Sequence, residues 1–115
     1  MIRKFNEREN TIKENLKGGN GLVNFKQIAT GEDFYKKIKT YATLTFKPGD
    51  GIGYHTHINE QEIILINKGE ALYNDDGNET TLHIGDVAVC YENHYHSITN
   101  ASDSELEIIA LIIEK

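Results

Sequence analysis

From residue 41 onward, apolar and polar positions alternate with a period close to two, in short β-branched or aromatic stretches cut by turn residues. Period two is what a half-buried strand requires, because successive side chains point to opposite faces. Residues 41–46 end at Pro48-Gly49. Residues 62–66 turn at Asn67, Lys68 and Gly69 into residues 70–73, a spacing that predicts a hairpin. Asp75-Asp76-Gly77-Asn78 marks the next turn, and candidate strands follow over 79–84, 87–91, 96–99 and 106–113. Roughly eight strands fit here with links too short for crossover helices, so an antiparallel all-β sandwich or barrel is expected.

Residues 1–40 carry a weaker pattern. Residues 3–17 fit a polar helix stopped by Gly18-Gly19, with Phe5, Ile12 and Leu16 as a thin apolar stripe. They fit equally an extended arm lying over the barrel or over a partner subunit. Phe34 and Ile38 are one helical turn apart, which permits a single turn there. The expected organisation is one domain, with an N-terminal arm and lead-in strands over 1–40 and the barrel over 41–115.

Composition narrows the class. Hydrophobic residues make up 38% of the chain and charged residues 26%, enough apolar material for a core and too much for a disordered chain. The longest apolar runs, 63–66 and 108–113, fall far short of the roughly 18 residues of a membrane span. Residues 1–10 have no apolar segment like that of a secretory signal, so cytoplasmic residence is expected. A net charge of -6 without any long basic run argues against nucleic acid or anionic lipid as partners. Cys90 is the single cysteine, which excludes an internal disulfide and suggests a buried, inert thiol.

The chemistry gathers in the histidines. His55 and His57 are two apart, so on a strand both rings share a face, about 7 Å apart along the chain axis. Glu62 opens the next apolar run, and if Ile64 and Ile66 face the core, Glu62 faces it too. A buried carboxylate without a partner costs several kcal/mol, so a cation beside it is the economical expectation. His96 opens a later strand that a closed sandwich could bring against the first pair. Three imidazoles and one carboxylate suit Fe, Mn, Ni, Cu or Zn rather than Ca or Mg. His83 reads as an ordinary surface residue, and His94 as a pocket or loop residue rather than a ligand.

Read together, residues 41–113 resemble the cupin family, in particular its small single-domain members. Gly49, His55, His57, Glu62 and Gly69 match every fixed position of the first cupin motif. Gly85, His96 and Asn100 hold their places in the second, whereas Tyr91 stands where proline is usual and Asn93 where glycine is usual. The turn before His96 is therefore open to a different shape, although asparagine tolerates the left-handed conformation that glycine often supplies. The resemblance implies a double-stranded β-helix, or jelly-roll barrel, with one divalent transition metal held by His55, His57, Glu62 and His96 inside the barrel mouth. The stretch Gly18-Gly19-Asn20-Gly21 is similar to the lead-in of small cupins that exchange an N-terminal strand in a homodimer.

Two functions from different classes stay open. One is a metal-dependent dioxygenase, isomerase or lyase acting on a small oxygenated substrate. His94 and Tyr54 are its candidate catalytic residues, and Tyr73, Tyr91 and Tyr95 are further sources of a proton. The other is a non-catalytic module that binds a sugar or small acid as a sensor or store. Beside these two functions stands a structural reading, a dimer whose metal only locks the barrel.

Overall fold

The computed structural model describes residues 1–115 and shows ten strands. They are β1 (Asn10–Glu14), β2 (Leu22–Gln27), β3 (Ile38–Phe46), β4 (Gly51–Thr56) and β5 (Glu60–Lys68), then β6 (Ala71–Asp75), β7 (Asn78–Leu82), β8 (Val87–Cys90), β9 (Tyr95–Thr99) and β10 (Leu106–Glu114). Their only helical companions are single 3-10 turns at Phe5–Glu7, Leu16–Gly18 and Gly31–Asp33. No helix is long and apolar enough to cross a membrane.

The strands form two antiparallel sheets, six-stranded in the order β1-β2-β3-β10-β5-β8 and four-stranded in the order β4-β9-β6-β7. From β3 onward the chain passes repeatedly from one sheet to the other, which is the winding of a double-stranded β-helix. The core lies between the sheets. Ala42, Leu44 and Phe46 of β3 point into it, as do Ile64 and Ile66 of β5 and Leu106, Ile108 and Ala110 of β10. The period-two alternation of these strands is therefore the reason they stack as they do.

One local expectation is corrected and two open readings are decided. β5 and β6 are not a hairpin, because they belong to different sheets. Gly69, with φ +79, carries the chain across, and a Cβ there would lie 2.4 Å from the Glu105 carbonyl oxygen. The paired hairpin is β6–β7, around Asp76 (φ 52) and Gly77 (φ 95). Residues 3–17 form no α-helix. β1 instead pairs with β2, and β2 with β3, so the N-terminal segment extends the larger sheet of its own chain. Its weak apolar stripe could not sustain a helix, whereas strand pairing satisfies the backbone and needs no such stripe. No helical turn links Phe34 and Ile38, since Ile38 already opens β3.

Candidate metal centre

β4 is bulged. Ile52 pairs with Ile98 and His55 with His96, so one extra residue intervenes on the β4 side. The bulge resets the alternation, so that Ile52, His55 and His57 all turn inward although Ile52 and His55 are an odd number apart. His57 lies just past the end of β4, His96 on β9, and Glu62 arrives from β5 in the opposite sheet. One ligand atom from each of His55, His57, Glu62 and His96 lies within 4.8 Å of the others. His57, Glu62 and His96 are buried, and His55 is half-buried. The sequence-predicted quartet is thus brought to one point inside the barrel.

Each imidazole is held from behind. Nδ1 of His55 is 2.7 Å from the Gly53 carbonyl, Nδ1 of His57 is 2.5 Å from Oε2 of Glu60, and Nδ1 of His96 is 2.7 Å from the Tyr73 hydroxyl. The opposite nitrogens of His57 and His96 face each other at 3.1 Å and face Oε1 of Glu62 at 3.2 and 3.0 Å. A metal-binding histidine is ordinarily oriented this way, with one nitrogen donating outward and the other left as a lone pair.

The electrostatics ask for a cation. Burial alone would raise the Glu62 carboxyl, but hydrogen bonds from His57 and His96 outweigh it and hold it at about 2. The Glu62 contact, opposed by burial and supported by Glu60, raises His57 above the usual imidazole range. Burial lowers His55. With both nitrogens of His57 facing carboxylates, the arrangement is stable only with a positive charge between Nε2 and Glu62. A proton or a divalent ion meets that demand. Ligands at roughly 2.1 Å from an ion lie no more than about 4.2 Å apart, so a sub-ångström contraction gathers all four. The donor set fits a divalent transition metal.

A cavity of about 240 Å³ leads to this point, bordered by His55, His57 and Glu62 and, nearer its mouth, by Lys13, Lys17 and Lys39. Tyr54 and His94 do not border it. Tyr54 is 49% exposed and stacks on Tyr95 with ring centroids 5.3 Å apart. His94 stands on the exposed loop before β9, bonded to Asp76. His83 is exposed beside Glu70, just past the end of β7. Cys90 is buried opposite Glu62, and burial pushes its thiol up to about 11.

Glu60 escaped the sequence reading because it precedes the apolar run that Glu62 opens. It belongs to β5, and its shared parity with Glu62 was the available signal. It also binds Lys39 at 3.0 Å, and its hydrogen bonds to His57 and Lys39 lower its carboxyl against the effect of burial. Asn93 does replace the usual glycine in kind, with φ 68, and its N–H donates to the His57 carbonyl at 2.8 Å. Asn100 is fully buried and clasps two loops, donating to the carbonyls of Phe46 and Ser104.

The Cupin domain family model matches residues 42–112, and the chain belongs to the cupin family. It is 33% identical over 99 residues to the oxalate-binding protein of Thermotoga maritima, covering 86% of this chain and 82% of that one. Among solved structures it is similar to a predicted oxalate decarboxylase from Thermotoga maritima, with TM-score 0.93, 30% identity and full coverage of both chains. KdgF from Halomonas sp., at TM-score 0.77, 16% identity and coverage of 100% and 94%, shares the fold.

Proposed function

We propose that the protein is a metal-dependent cupin that binds a small carboxylate-bearing molecule beside its ion and transforms it, by oxidoreductase, isomerase or lyase chemistry. The observation that carries this reading is the convergence of three imidazoles and Glu62, of which His55, His57 and Glu62 border a cavity open to solvent. A divalent ion there supplies Lewis-acid polarisation of a coordinated carboxylate or carbonyl. Fe, Mn, Ni, Zn and Cu all suit the donors, and cellular availability selects among them. The names of the Thermotoga relatives favour oxalate or a close analogue as the ligand. Proton transfer falls most readily to groups bordering the cavity, Glu60 and Lys39, rather than to Tyr54 or His94.

A second reading is binding without turnover. One relative is named for binding alone, and Glu60 is already engaged by His57 and Lys39, which leaves it little freedom as a base. Protein loaded with Mn(II) or Fe(II) and offered oxalate, 2-oxo acids, diketones and sugars separates the two. Saturable, metal-dependent binding with product formation supports the enzyme, and the same binding without product supports the module. Binding of none of the acids overturns the reading.

We also read the chain as a homodimer. On the outer face of the larger sheet, Tyr41, Leu111, Ile63 and Val89 form one cross-strand row and Ile109, Leu65 and Val87 the next. All are half-buried except Val87, which is exposed. A contiguous apolar face of this kind is the usual mark of an interface. The reducing conditions of a cytoplasm suit Cys90, a free thiol.

A further inference from the structure

Lys13 sits on an edge strand yet points inward. In the β1–β2 register Thr11 lies opposite Phe25 and Lys13 opposite Val23, and directly opposed residues share a face. Val23 and Phe25 are buried in the core, so the Lys13 side chain lies on their face of the sheet, exposed at the rim, with Nζ 4.3 Å from the Phe25 ring centroid. Lys17 reaches the same cavity from the 3-10 turn Leu16–Gly18. That turn is seated tightly on β4: a Cβ on Gly53 would lie 2.0 Å from the Lys17 carbonyl oxygen. The lysine is therefore placed at the mouth by backbone packing rather than left on a free loop.

Neither ammonium has a carboxylate partner. The ion pairs of the lysines and arginines are made by Arg3, Lys39, Lys68 and Lys115. Lys4, Arg8, Lys26, Lys36, Lys37 and Lys47 make no ion pair either, so what sets Lys13 and Lys17 apart is that both border the cavity leading to the centre. An inward lysine also protects a sheet edge from unwanted pairing, which would account for Lys13 but not for Lys17. The cavity lining holds Lys13, Lys17 and Lys39 against Glu60 and Glu62, and a divalent ion would leave it with a clear positive excess. Its volume of about 240 Å³ is comparable to the liquid volume of roughly eight waters, room for a short acid and not for an oligosaccharide.

Building on the metal-dependent reading above, we propose that Lys13 and Lys17 recognise the second anionic group of a small dicarboxylate whose first group coordinates the metal. They are specificity residues: the ion takes one end of the ligand and the two ammoniums take the charge at the other. A cation–π contact to Phe25 is weak enough to be exchanged for a charge-assisted hydrogen bond.

Calorimetry with Mn(II)-loaded protein tests this, using oxalate and malonate as dianions and acetate as the monoanion. Lys13→Gln and Lys17→Gln are each expected to weaken dianion binding about tenfold, and the double variant about 50-fold. Metal stoichiometry, melting temperature and acetate affinity stay at wild-type values, Lys→Arg at either position restores most of the loss, and Lys36→Gln changes nothing. Dianion affinity within about twofold of wild type in a metal-replete double variant overturns the assignment while leaving the metal-dependent reading intact. Should the double variant not fold, the single variants and the ionic-strength dependence of the wild type decide, and salt-insensitive oxalate binding overturns it. If metal-loaded wild type binds no dianion at all, this assignment and the proposed function fall together.

Discussion

The hydroxyl of Tyr73 meets Nδ1 of His96 at 2.7 Å, so a buried phenol on β6 sets which nitrogen a ligand on the neighbouring β9 presents to the centre. Burial raises the Tyr73 hydroxyl well above the usual phenol range, so it stays protonated, and with a metal on Nε2 the Nδ1–H of His96 would donate to its oxygen. Tyr73→Phe retains the ring and its packing and removes only this contact. Metal affinity is expected to fall about 10- to 100-fold with little loss of melting temperature, measured by competition with a chelating dye. Unchanged affinity would show that His96 needs no support from behind.

Removing a ligand is more severe than removing its support. His57→Ala is expected to abolish stoichiometric metal in protein purified without added ions, read by elemental analysis, whereas His83→Ala retains it. His57 joins Glu60 to the centre, so Glu60→Gln should give an intermediate loss and should also free Lys39.

Acid should release the metal through the imidazoles and not through the carboxylate. The Glu62 carboxyl is depressed to about 2, so its contribution to stability is complete above the ordinary carboxylate range and is lost only as pH falls through about 2. A protonated imidazole, by contrast, cannot coordinate, and protons compete first for His57, which Glu62 raises above the ordinary range of about 6.5, and only at lower pH for His55, which burial lowers. Metal release titrated from pH 8 to 5 is expected to steepen below that point while the fold persists, as followed by circular dichroism. A flat response over the whole span would contradict three histidine ligands.

The residues that could be read from the chain are those whose role depends on parity and spacing. Glu62 is buried because it shares the inward side of β5 with Ile64 and Ile66, and that alternation is visible in the sequence. Gly49, Gly69 and Gly85 all adopt positive φ, as turn glycines of the two motifs should. What escaped reading depends on which strands become neighbours. Nothing local says that Gly69 sends the chain to the other sheet instead of closing a hairpin. Nor does it say that Tyr73 alone among the tyrosines backs a ligand, since β6 lies beside β9 only in the folded order. The bulge in β4 was equally hidden: counting by twos from Ile52 would have turned His55 outward. Residues 1–40 were ambiguous because β1 has no buried position, so the pairing of its backbone, rather than a hydrophobic pattern, makes it a strand.

The apolar rows on the outer sheet face make an oligomer prediction. Leu111→Asp places a charge between Tyr41 and Ile63, at the middle of the face. Light scattering coupled to size exclusion is expected to give a dimer for the wild type and a monomer for this variant, with the metal retained in both. Lys36→Gln, at an exposed position, serves as the control. A wild-type monomer at micromolar concentration would remove the dimer from the reading without touching the centre.

Two glycine variants separate steric from conformational cost at the cavity mouth. Gly18 has φ +79 but open space where a Cβ would go, so Gly18→Ala should carry only the left-handed backbone penalty, roughly 1–2 kcal/mol. At Gly53 the obstacle is the backbone carbonyl of Lys17, 2.0 Å from a Cβ and unable to rotate away, so the 3-10 turn must lift off β4 or β4 must shift. Overpacking of this kind costs roughly 1–3 kcal/mol. The displacement also moves Lys17 and strains the Gly53 carbonyl that holds Nδ1 of His55. Gly53→Ala should therefore lower both the melting temperature and the affinity for metal, whereas Gly18→Ala lowers the first alone. Equal metal affinities in the two variants would mean that the turn and the centre are not mechanically joined.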